Sequence, residues 1–193
     1  MGLKVGAVNS GRDNPNKILS PGVVAKYYKI EQDYEVKNAP EILNLANAFF
    51  NKRELPKNVN VLFVKERTNV EINYPAYIDR PVLLVSDIFK KVISMYHKDY
   101  VCQTVVLTEQ SSGNQNVYWH IRVPEVDCLS AKSVIGHDQL VKKAVIDEAK
   151  AQDRSFIKIS NNIQSIYVVR LDLLESALRR DLCGFTLEEL ESE

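Results

Sequence analysis

Glycine is sparse in this chain, and its 7 scattered copies form neither a Gly-x-Gly-x-x-Gly turn nor a P-loop. The backbone cradle that nucleotide phosphates require is therefore missing from the sequence. Histidine is rarer still: His97, His120 and His137 never stand at i, i+4 or His-x-His spacing, so no zinc-type ligand pair is suggested. The three cysteines, Cys102, Cys128 and Cys183, are odd in number, far apart and never in a Cys-x-x-Cys pair. That pattern excludes a disulfide framework and a zinc knuckle, and it reads as free buried thiols in a reducing cytosol. No apolar run approaches the ~18–20 residues of a membrane span, and no signal-peptide h-region is visible. Met1-Gly2 is followed by Gly6 where a myristoylation site has Ser or Thr. An excess of either charge is also lacking, since Lys+Arg 25 balances Asp+Glu 25. Nucleic-acid binders usually carry a basic surplus, so nucleic acid is not an expected partner. Taken together, these absences predict a cytoplasmic protein without cofactor, metal site or membrane association.

What is present is ordinary globular material. A hydrophobic fraction of 45% and a charged fraction of 26% over 193 residues support one core of domain size. Residues 1–25 read as an N-terminal extension and candidate flexible arm, because Asn9 to Asn16 and Ser20-Pro21-Gly22 concentrate turn formers. Residues 26–193 read as a single α+β domain. Tyr27-Tyr28-Lys29-Ile30 predicts a first strand, and Pro40-Glu41 opens a helical pattern with Ile42, Leu45, Phe49 and Phe50 on one face. Val59 to Val64 predicts a strand, and the alternation in Glu71-Ile72-Asn73-Tyr74 predicts another.

Two later stretches share a grammar. Pro81 to Ile93 can be laid on Ile166 to Leu178 at a constant offset. In each, an apolar strand meets an aspartate, Asp87 or Asp172, whose carboxylate suits the unpaired amides of a helix's first turn. Each predicted helix leads to a further strand, Val101–Leu107 or Phe185–Leu190. A common strand-cap-helix grammar is favoured over an internal duplication, because the remaining side chains do not match closely. Ser111-Ser112-Gly113-Asn114 predicts a hairpin between Val105–Leu107 and Val117–Ile121. Asn161-Asn162 predicts a second, between Phe156–Ile159 and Ile166–Val169, and Leu140 to Asp147 leans to strand. The expected class is α+β, with mainly antiparallel sheets and two or three amphipathic helices packed on one side.

Chemistry-bearing residues are few. One candidate is a thiol hydrolase with Cys128 as nucleophile, His120 or His137 as base and Asp127 orienting the base. The spacing specifies none of this, since such groups meet in space rather than in sequence. Glu125/Asp127 and Asp147/Glu148 read as turn-forming or solvated carboxylates. His97 falls at a helix end, where it is expected to cap carbonyls or face water. His120 and Trp119 are neighbours in a strand, so one is expected inside and the other outside. Glu188-Glu189-Leu190-Glu191-Ser192-Glu193 has no base nearby in sequence and reads as a solvated tail, with a steering surface for a basic partner as the functional alternative.

The most informative stretch is Tyr118-x-x-Ile121-x-Val123-x-x-Val126-Asp127-x-Leu129 with Ser133 following. It resembles the central segment of the imm-eleven-like immunity proteins of bacterial polymorphic toxin systems. Ile166-Tyr167-Val168-Val169, Leu173-Leu174-Glu175-Ser176-Ala177-Leu178 and Gly184-Phe185-x-Leu187-Glu188-Glu189 are similar to that family's terminal segment, although Arg170-Leu171 stands where the family has a serine. The likeness covers roughly residues 80–190. It implies a non-enzymatic protein that binds and blocks a cognate toxin domain by stoichiometric occlusion, with no catalytic residues to carry over. Trp119, Tyr27, Tyr28, Glu188, Glu189 and Glu191 are then the candidate contacts: aromatics as anchors, carboxylates setting specificity. The remaining alternatives are the Cys128 hydrolase and a structural or regulatory binding module without a toxin partner.

Overall fold

The computed structural model describes residues 25–43, 60–66, 70–97, 100–152, 154–160 and 163–193. In chain order the strands and helices are β1 (Tyr27–Gln32), β2 (Asn60–Phe63), β3 (Tyr77–Ile78), β4 (Leu84–Ser86), α1 (Asp87–Tyr96), β5 (Val101–Thr108), β6 (Gln115–Arg122) and β7 (Glu125–Val126). They continue with β8 (Val134–Ile135), β9 (Val141–Lys143), β10 (Val145–Ile146), α2 (Glu148–Ala151), β11 (Phe156–Ile159), β12 (Tyr167–Arg170), α3 (Leu171–Leu178) and β13 (Phe185–Ser192). The fold is α+β. A six-stranded sheet runs β10-β13-β1-β12-β11-β7, a five-stranded sheet runs β2-β5-β6-β4-β3, and β8-β9 form a small arm. Pairing is mostly antiparallel, with parallel contacts only at β2/β5, β10/β13 and β7/β11 among the described strands.

Strand periodicity explains how three clusters of buried side chains arise. On one face of the six-stranded sheet, Ile30, Phe156 and Val169 join Val85 and Ile121 of the other sheet and Phe89, Ile93, Leu173 and Ala177 of α1 and α3. On its opposite face, Tyr27, Ile157, Val168 and Leu190 pack with Ile146, Cys128 and Ala151 of α2. The far face of the five-stranded sheet carries Leu62, Leu84, Val105, Leu107 and Tyr118. The two longer helices thus share one cluster, while the single turn of α2 lies across the sheet from them. The aromatic rings of Tyr77, Phe89 and Phe185 meet with centroids 5.9–6.4 Å apart and tie the two sheets and α1 together.

The two units that share a grammar also share a topology. β4 and β5 flank β6, and β12 and β13 flank β1, each middle strand being antiparallel to both neighbours. Each unit is therefore a split strand–helix–strand, and its helix packs against the other's. The likeness reaches further than local capping. The caps themselves differ from expectation: Ser86, not Asp87, caps α1 by accepting from the Phe89 amide at 3.3 Å. Arg170 stands at the N-cap of α3 with no side-chain cap bond; Asp172 inside the first turn pairs with it at 2.7 Å and, as expected of its carboxylate, accepts a first-turn amide, that of Leu173, at 2.9 Å.

Other expectations are corrected. Pro40 to Leu43 is not helical; Ile42 bridges Val64 in antiparallel fashion, and the Leu43 amide donates to Phe63 O at 2.9 Å. Leu45, Phe49, Phe50 and the extension up to residue 24 lie outside the described residues. Glu71 to Tyr74 alternates in exposure as expected but forms no strand. Among the described residues it joins no ladder; the Asn73 amide donates to Asn38 O at 2.9 Å, and Ile72 and Tyr74 lie against the third cluster. Leu140 to Asp147 splits into β9 and β10, which join different sheets.

Candidate functional site

The acidic C-terminal run is a strand inside a sheet, not a solvated tail. β13 pairs with β1 on one edge and β10 on the other. Its carboxylates meet bases from distant parts of the chain: Glu188 with Lys29 at 3.3 Å, Glu189 with Lys26 at 3.0 Å, Glu191 with Lys143 at 2.6 Å, and Glu193 with Lys132. Steering by a naked acidic field is thereby weakened, since each charge is answered locally.

The other expected contacts are partly committed. Tyr27 is the buried member of its pair, 1% exposed, and Tyr28 lies half-buried against the first cluster. Trp119 is half-buried too: its Nε1 donates to Asp87 Oδ1 at 3.1 Å, and Lys90 Nζ sits 4.6 Å from its ring centroid. His120, on the opposite face, is buried as well, because both faces of this sheet are covered. Its Nδ1 donates to Leu83 O at 3.0 Å.

The cysteine arrangement does not suit nucleophilic chemistry. Cys128 is fully buried in the second cluster, and desolvation pushes its thiol up to about 11. A nucleophilic cysteine needs the reverse, a stabilised thiolate open to substrate. His120 belongs to the other sheet, and His137 is exposed in the β8–β9 turn. Cys183, expected inside, is the exposed thiol. His97 is also placed differently from expectation. It is buried, and its Nε2 accepts the backbone amides of Ser155 and Phe156 at 2.9 and 2.7 Å. Among the described residues, no group of three or more His, Cys, Asp and Glu side chains is gathered as a metal site.

A concavity lies where the two sheets meet. The β3–β4 turn, the end of β6, β7 and the β11–β12 hairpin enclose a cleft of about 410 Å³. Its floor is apolar, with Val82, Leu83, Ile121 and Val123, and its polar groups include Arg122, Lys158, Glu125 and Tyr167. A second cleft of about 370 Å³ shares Asp79, Pro81 and Ser165 with the first and continues past Arg80, Ile163 and Glu188. Of the six expected contacts, Glu188 lines one of these two clefts.

Most charges along these walls are spoken for. Lys158 pairs with Glu125 at 3.0 Å, and Lys142 with Asp138 at 2.9 Å. Asp79 accepts from the Gln32 amide and the Tyr34 hydroxyl, both at 2.9 Å. Desolvation and that bond push the Tyr34 phenol up to about 12, so it stays a donor. Desolvation likewise holds the Tyr167 phenol neutral, pushed up to about 12.

No protein-family model and no curated protein matches this chain. Sequence reasoning missed the clefts because their walls come from six separated segments, the β11–β12 hairpin taken as one. The one local sign was Asp79-Arg80-Pro81, two opposite charges on a turn between strands. No helix among the described residues is long and apolar enough to cross a membrane.

Proposed function

We propose that this chain is a binding protein of the immunity type, which neutralises a cognate bacterial toxin domain by covering it stoichiometrically in the cytoplasm. The observation that carries the reading joins sequence to geometry. Segments that resemble the imm-eleven-like family contribute to the walls of both clefts: Ile121, Val123 and Glu125 from the central stretch, Tyr167 and Glu188 from the terminal one. An open, mixed polar and apolar concavity is suited to holding part of another polypeptide. The rival thiol hydrolase loses support from the burial of Cys128 and the raised pKa of its thiol. A binding module without a toxin partner is separated from the leading reading by experiment. Co-expression with the product of the adjacent open reading frame is expected to restore growth and to co-purify the two chains in equal amounts. Failure of both results rejects the immunity reading.

A further inference from the structure

Arg80 stands apart from the other cations of the clefts. Its guanidinium carbon lies 5.4 Å from the Tyr34 ring centroid, and among the described residues no carboxylate pairs with it. The ring under it is fixed in turn, since the Tyr34 hydroxyl is bonded to Asp79. A guanidinium resting on an aromatic shelf keeps its planar fork of donors and loses little freedom when a carboxylate arrives. Tyr167 is the second uncommitted group. Its ring lies edge-on to Phe156 at 6.3 Å, and its neutral hydroxyl has no hydrogen-bond partner among the described residues. A phenol donor above an apolar floor has much to gain from an acceptor. Ile163, 71% exposed on the wall of the second cleft, offers an aliphatic contact.

From these three features we infer that the joined clefts are the docking groove for an extended, carboxylate-bearing stretch of the partner polypeptide. The partner's acid sits on Arg80, a backbone carbonyl accepts from Tyr167 Oη, and an aliphatic side chain covers Ile163. Arg80 lines only the second cleft and Tyr167 only the first, so an occupant touching both must cross the shared wall at Asp79, Pro81 and Ser165. An extended chain does this. A polyanion does not suit the site, because Glu31, Glu188 and Glu125 stand along the same walls. The proposal names the partner's contact chemistry and rests on the binding-protein reading above.

The test uses the full-length, isotope-labelled protein and an acetylated, amidated hexapeptide of Ser, Glu, Leu, Glu, Val and Ser. The same peptide with Lys for Glu and sodium acetate serve as comparison probes. Saturable shifts are expected at the amides of Asp79, Arg80, Leu83, Ser165 and Tyr167 with the acidic peptide alone. Arg80→Gln should weaken binding about tenfold and Tyr167→Phe about threefold, with both spectra remaining those of the folded chain. Absence of saturable shifts at these amides overturns the proposal. So does equal binding of the Lys peptide, or acetate reproducing every shift as a bare anion. Both variants are also carried into the growth-rescue assay, where loss of rescue is expected. Undiminished rescue by both overturns the groove and leaves the immunity reading standing. If the unaltered chain gives no rescue, the immunity reading fails, and the peptide titration still decides the groove.

Discussion

His97 serves as a strand partner although it is a side chain. The last turn of α1 delivers its ring to the start of β11, where Nε2 takes two backbone amides that would otherwise be buried without acceptors. A single ring nitrogen therefore closes the joint between the first cluster and the six-stranded sheet. His97→Ala orphans both amides and is expected to cost about 3 kcal/mol in a urea unfolding curve, from the penalty for unsatisfied buried donors. His97→Gln, which offers a carbonyl oxygen at similar reach, should recover part of that loss. Equal losses from both variants would mean that ring packing, not the acceptor, matters. The thiols make a second residue-scale prediction. With Cys128 fully buried and Cys183 exposed, iodoacetamide should label Cys183 first in the native chain. Cys128 should react only on unfolding, and early labelling there would restore the hydrolase reading.

β13 shows how an element can be misjudged from its own residues. Its sequence is a charge run, and the lysines that answer it are Lys26 just before β1, Lys29 on β1, Lys143 on β9 and Lys132 before β8. Pairing with bases dozens of residues away or more leaves no local trace, so the run reads as a solvated tail. The strand is held by its ladders and by Leu190, 7% exposed in the second cluster. Leu190→Ala is expected to cost about 3 kcal/mol, whereas Glu189→Gln should leave the unfolding midpoint nearly unchanged, because the Lys26–Glu189 pair is exposed on both sides. The reverse order would make the ion ladder the source of stability. The elements that were legible share one property, strong local periodicity. β1, β5, β6, β11, β12, α1 and α3 announce themselves because their apolar spacing is decided by their own burial. Glu71 to Tyr74 had the same spacing without a strand neighbour to pair with, and Ser86 outcompeted Asp87 for the cap because it stands one residue earlier, outside the helix. The groove was illegible for the reason β13 was. Arg80 and Tyr167 are unremarkable in their own segments and gain meaning from what does not pair with them.

At the scale of the whole molecule, two split strand–helix–strand units pack their helices together, and the groove opens where their sheets meet. His120 lines the first cleft while being 5% exposed, so its protonation bears on both folding and binding. Desolvation holds it below its ordinary 6.5, the nearby Arg122 acts in the same direction, and the bond to Leu83 opposes them. The unfolded chain therefore takes up this proton at a higher pH than the folded one. Stability from this group is whole above about pH 6.5 and is lost as pH falls through the lower folded value. A separate group of carboxylates, among them Asp87 beside Lys91 and Glu109 beside Ser112, is held below the ordinary 3.8 and 4.5. Their contribution is whole above those values and fades only in stronger acid. The stability profile should accordingly fall in two limbs, a first below about pH 6.5 and a second below about pH 4.5. His120→Gln, which keeps a donor for the Leu83 carbonyl, should shrink the upper limb and spare the lower one in urea midpoints taken across this range, the buried acceptor His97 being left in place. An upper limb left unchanged by the substitution would assign the titration to another group.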